Sequence, residues 1–211
     1  MTITPEDFIG REAASDGWFG VGEIDPDVAN SFDVVMRRLR EVQNLAGRVA
    51  PSAEASEQVA ELLEQVKTVL EPFEAERDRH ICGRLLGVPG RGQALVPEYE
   101  IESFDDDTVT GRIVFGAFYL GGGGAVHGGS IPLFFDEVMG WLAAYQAGRA
   151  RTAYLHVNFR NPTMLGRALK FSVRIERLEG RKIFIAGALM DGDTLLADVE
   201  GLWVRLRAGQ T

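Results

Sequence analysis

Apolar positions along the chain follow two periods. Val28, Phe32, Val35, Met36, Leu39, Val42 and Leu45 recur at helical spacing. Asp25-Pro26 supplies an N-cap and a first-turn proline, and Gly47 closes the segment. After Pro51, Val59, Leu62, Leu63, Val66, Val69, Leu70 and Phe73 share one helical face, and the opposite face is acidic. Two amphipathic helices with a short link predict a helical hairpin. The hairpin is expected to pack on the rest of the chain, on a partner subunit or over a ligand pocket. Residues 1–24 show little periodicity.

From about residue 95 the period drops to two, the signature of strands. Leu95, Pro97, Tyr99 and Ile101 mark a first strand, Asp105-Asp106-Asp107 a turn, and Val109, Gly111, Ile113 and Phe115 a second strand. A third follows with Leu155, Val157 and Phe159 on one face and His156, Asn158 and Arg160 on the other. Leu169, Phe171, Val173 and Ile175 lead to a turn at Glu179-Gly180, and Ile183, Ile185 and Leu189 to another at Asp191-Gly192. The last strand runs from Thr194 to Arg207. Between the second and third strands lies an apolar helix that ends near Gly148. One helix and five or six mostly antiparallel strands predict an α+β layer. The expected division is residues 1–80, the helical extension, and 81–211, the α+β domain.

The chemistry concentrates where that helix begins. Gly121 to Gly124 form a glycine run, His127-Gly128-Gly129 follows, and Asp136 is the one carboxylate on the far side of the apolar face. Phe134, Phe135, Val138, Trp141, Leu142 and Tyr145 fall on that face. Asp136 is flanked by Gly129, Pro132, Gly140, Ala143 and Ala147, small residues that admit a close neighbour. We expect this side to meet a second subunit with Asp136 in the contact, and Glu137 to be a rim or structural charge. A carboxylate removed from water needs a partner or a task. Backbone N–H groups at a helix start suit an oxygen that becomes negative. His127 is expected to shape the loop. Seven residues, ~10 Å of helix, separate Gly129 from Asp136. One protomer therefore cannot easily bring both to one carbonyl, whereas two antiparallel helices across a twofold axis would.

His127-Gly128-Gly129 with Asp136, continued by Thr152 to Pro162 and Gly166, resembles the motif of hotdog-fold acyl-CoA thioesterases of the PaaI-like type. The resemblance spans roughly residues 85 to 207. It implies a sheet wrapped around one central helix and hydrolysis of acyl-CoA by a homodimer or homotetramer. It implies that the Gly128 N–H polarises the thioester carbonyl. Asp136 of the partner chain would act as nucleophile or as general base on water, and Thr152 would orient that water. Gly129, Gly121, Gly124 and Arg160 are the expected substrate-binding positions. No metal or other cofactor is expected, coenzyme A being part of the substrate. Many members carry Asn or Gln where this chain has Gly121. In its glycine-rich loop the chain resembles the longer-chain branch instead.

Composition narrows the context. The chain has 211 residues, 45% hydrophobic and 25% charged, which suits a globular protein with a proper core. A single cysteine, Cys82, allows no internal disulfide, and no stretch reads as a leader or membrane span, so a cytoplasmic setting is expected. The net charge of −9 disfavours nucleic acid. Arg149, Arg151, Arg160, Arg167 and Lys170 are candidates for a local patch that meets coenzyme A. Two other readings stay open: a non-catalytic acyl-CoA-binding hotdog protein, and a thioesterase acting on acyl-carrier-protein thioesters.

Overall fold

A computed structural model describes residues 24–85, 88–207 and 209–210. The reading of residues 1–23 lies outside these. Helix α1 spans Pro26–Ala46 and α2 spans Ala53–Leu70. Both start as their sequences dictate: Asp25 accepts the Asp27 N–H at 2.8 Å, and Ser52 Oγ accepts the Ala55 N–H at 3.2 Å. Strands β1 (Tyr99–Asp105) and β2 (Thr108–Ile113) precede helix α3 (Ser130–Ala147). Strands β3 (Ala150–Phe159), β4 (Leu169–Glu179), β5 (Lys182–Asp191) and β6 (Thr194–Arg205) complete one antiparallel sheet of order β1-β2-β4-β5-β6-β3.

The α+β expectation holds: six strands curl around α3, the hotdog arrangement, with a helical region at the N-terminus. Helix α3 buries Ile131, Phe134, Phe135, Val138, Met139, Trp141 and Leu142. It meets the alternating inward residues of β2, β4, β5 and β6, among them Val109, Phe171, Ile185, Val199 and Trp203. The helix lies so close to β5 that a Cβ at Gly187 would stand 2.7 Å from Met139 and 2.8 Å from Phe135. Three aromatic rings close the other end, with Tyr99 edge-on to Phe134 and Phe171 at 5.7 and 6.0 Å.

Three expectations change. Leu95 and Pro97 precede β1, and Leu95 is exposed. Helix α1 docks through a more polar side than its apolar periodicity marks. Arg40, 7% exposed, donates to the Val96 carbonyl at 2.7 Å and to that of Gln93, and Asn44 accepts the Phe118 N–H at 3.2 Å. These contacts satisfy irregular backbone that would otherwise lack partners. Val28, Val35, Leu39 and Val42 consequently stay exposed. Helix α2 buries no residue, so among the described residues the two helices do not form the packed hairpin expected.

Candidate active site

Asp136 and Thr152 meet. Thr152 Oγ1 donates to Asp136 Oδ1 at 2.9 Å, which ties α3 to edge strand β3. Both residues are exposed. They line a cleft of about 240 Å³ with Arg91, Glu137, Gly140, Trp141, Ala150, Arg151 and Trp203.

The loop before α3 is held by its own backbone. His127 N–H donates to Tyr119 O at 2.7 Å, Val126 N–H to Thr163 O at 2.7 Å, and Gly121 N–H to Ala125 O at 2.8 Å. His127 Nδ1 accepts the Gly129 N–H at 3.1 Å, so that ring nitrogen carries no proton and the histidine fixes the turn into the helix. The Gly129 N–H is thereby engaged within the loop. The Gly128 N–H has no hydrogen-bond partner among the described residues, and Gly128 is exposed. It is a donor left open at a helix start.

Gly121 has a steric reason. A Cβ there would lie 2.9 Å from His127 Cα, closer than side chains tolerate. An Asn or Gln side chain at this point has no room. Gly124 stands exposed at φ +79°, a conformation that favours glycine.

Arg160 pairs with Asp198 beside Asn158, which donates to the same carboxylate at 2.8 Å. Arg167 forms a two-pronged pair with Asp191 at 2.9 Å. Two of the five basic residues of the expected patch thus already have carboxylate partners.

Glu137 is a carboxylate taken out of water within the protomer, at 9% side-chain exposure. It accepts from Arg91 at 2.8 Å and from the Trp141 indole N–H at 2.9 Å. Arg91 also lies over the Trp141 ring at 5.5 Å. Sequence reasoning placed Glu137 as a rim or structural charge and missed Arg91. This arginine sits 46 residues away in an irregular loop, at φ 56°. Nor does the small-residue side of α3 all face outward: Ala143 is fully buried, and Gly140 stands beside Trp203. Gly129 and Asp136 are exposed, and Pro132, Gly140 and Ala147 are half-buried. Among the described residues, no group of three or more His, Cys, Asp or Glu is placed to hold a metal ion.

A six-stranded sheet wrapped on one helix is the hotdog fold. Residues 123–197 match the family described as the thioesterase superfamily. It is 31% identical over 140 residues to acyl-coenzyme A thioesterase THEM4 of Bos taurus, covering 65% of this chain and 57% of that one. It is 32% identical over 93 residues to the Xenopus laevis protein of the same name, covering 43% and 42%. The chain spans about half the length of these relatives. A solved structure described as a thioesterase superfamily protein superposes with a TM-score of 0.71 at 28% identity, over 82% of this chain and 90% of its own.

Proposed function

We propose that the protein hydrolyses acyl-CoA thioesters at a site shared between two chains. The observation that carries this reading is the open Gly128 N–H at one end of β3 and the Asp136–Thr152 pair at the other. A Cβ at Gly128 would lie 3.8 Å from Phe159, whereas Asp136 is bonded to Thr152. Eight residues of α3 and the turn before it separate Gly128 from Asp136, ~12 Å at 1.5 Å per residue. A carbonyl needs both groups within about 3 to 4 Å. β3 is an edge strand, a template for a second strand. Antiparallel pairing of two β3 strands centred between Leu155 and His156 brings Thr152 of one opposite Phe159 of the other. Each Gly128 then faces Asp136 of the partner subunit, giving two equivalent sites.

The thioester carbonyl oxygen accepts from the Gly128 N–H and gains negative charge as the carbon is attacked. Asp136 of the partner subunit attacks the carbon directly or removes a proton from the attacking water. Thr152 donates to one oxygen of that carboxylate and fixes its direction. His127 holds the turn that presents Gly128. The thiolate of coenzyme A leaves. With water as the attacker this frees the acid directly; with Asp136 as the attacker, water then hydrolyses the acyl-aspartyl anhydride to free the acid and restore the carboxylate. The names of the relatives, and the superfamily match, support coenzyme A as the carrier. The pairing of Arg160 and Arg167 with carboxylates weakens a basic dock for an acidic carrier protein.

The test is thiol release from short, medium, long and arylacetyl CoA esters, with Asp136→Asn beside the wild type. We expect release by the wild type and a fall of ~10² to 10⁴ in kcat for the variant. A folded wild type that binds acyl-CoA and releases no thiol would make the protein a binder, the reading that its glycine at position 121 favours.

A further inference from the structure

The N-terminal helices carry apolar surface that the protomer does not use. Six large apolar side chains on α1 and seven from Val59 to Phe73 are exposed, Phe73 at 77% and Val69 at 66%. Together they amount to on the order of 1,000 Å² per protomer. That exceeds the few hundred Å² a monomer commonly leaves open and matches the ~800 Å² per partner of a stable dimer.

The pattern names the kind of partner. Val59, Leu62, Val66, Val69 and Phe73 are spaced three, four, three and four residues apart, the repeat of a helix–helix seam. Leu63 and Leu70 widen it to the three-in-seven face of a bundle helix. The remaining flanking positions, Ser56, Gln58, Gln65 and Pro72, carry no charge. Glu54, Glu57, Glu61, Glu64 and Glu71 lie on the outer side, where Glu64 and Glu71 pair with Lys67. The seam is symmetric about Val66, so it complements a copy of itself. An acidic outer face also disfavours anionic lipid, which calls for Lys and Arg there.

We propose that α2 pairs antiparallel with α2 of a second copy of this chain along the Val59–Phe73 seam, with the exposed side of α1 flanking the pair. Antiparallel pairing keeps the acidic first halves of the two helices, Glu54 to Glu61, at opposite ends of a contact ~21 Å long. This interface is separate from the β3 edge and does not depend on the proposed reaction.

The experiment is the solution mass of the full chain, by light scattering, for the wild type and Leu62→Glu/Val66→Glu/Val69→Glu. Helix α2 packs on no part of the sheet among the described residues, so the variant is expected to fold with unchanged sheet signal. The mass is expected to halve, from tetramer to dimer if β3 also pairs and from dimer to monomer if it does not. An unchanged mass overturns the proposal, as does wild type that stays at the variant's mass and floats with phosphatidylcholine vesicles. A second readout does not depend on disrupting the seam. On a Cys82→Ser background, oxidised Val66→Cys is expected to form a covalent dimer and Glu64→Cys is not. Equal yields would also overturn it.

Discussion

At the residue scale the site depends on one hydrogen bond and one missing side chain. Thr152→Val keeps the strand residue's shape and removes the donor to Asp136. We expect kcat to fall about 10- to 100-fold with thermal stability nearly unchanged, and Thr152→Ser to restore most of it. Gly121→Asn supplies a side-chain amide, yet its Cβ would lie 2.9 Å from His127 Cα. Displacing His127 displaces the Gly129 bond it accepts, so steady-state thiol release should drop and not rise. Tyrosine burial gives an alkaline signature. Burial, and then the nearby Glu137, push the Tyr99 phenol well above its ordinary value. Burial likewise pushes Tyr119 up to about 12 from 10.0. Between those limits the native state keeps protons that the unfolded chain releases. The contribution of these two tyrosines to stability should be constant below about pH 10 and fall as pH rises through 12. The urea midpoint of Tyr99→Phe/Tyr119→Phe should fall less over that range. The Asp136–Thr152 pair was legible because motif spacing carries it. Arg91 was not, because an irregular loop has no period from which to read a contact.

At the scale of elements, the sheet and α3 were legible for a physical reason. Each buries one or both faces, and burial writes its period into the sequence. Glu137, Arg91 and Trp141 show where that logic stops. Glu137 sits at the edge of the apolar arc, and only the loop packed over it turns it into a buried charge. Glu137→Ala leaves Arg91 without that carboxylate and Trp141 without that acceptor. We expect a loss of about 3 kcal/mol in urea unfolding. Arg91→Ala/Glu137→Ala should cost less than the two single changes added, since the charges leave together. Helix α1 is the opposite case. Its apolar stripe is plain in the sequence, but the loops it meets expose carbonyls and N–H groups. Arg40 and Asn44 therefore carry the hydrogen-bonded contact, and the stripe stays in solvent except at the half-buried Phe32 and Met36. Amphipathicity foretold the helix and not the face that docks.

At the scale of the whole molecule, the chain separates the two halves of the proposed site. The open N–H stands by Phe159 and the carboxylate by Thr152, seven residues apart on one edge strand. Mixing two defective chains tests this central claim most directly. Asp136→Ala removes the carboxylate and Gly128→Pro removes the N–H, so each alone should be inactive. In a heterodimer purified through two different tags, one site combines both intact halves and the other combines both defects. The account predicts about half the wild-type thiol release per dimer. A folded heterodimer with no recovered activity would contradict a site shared between two chains.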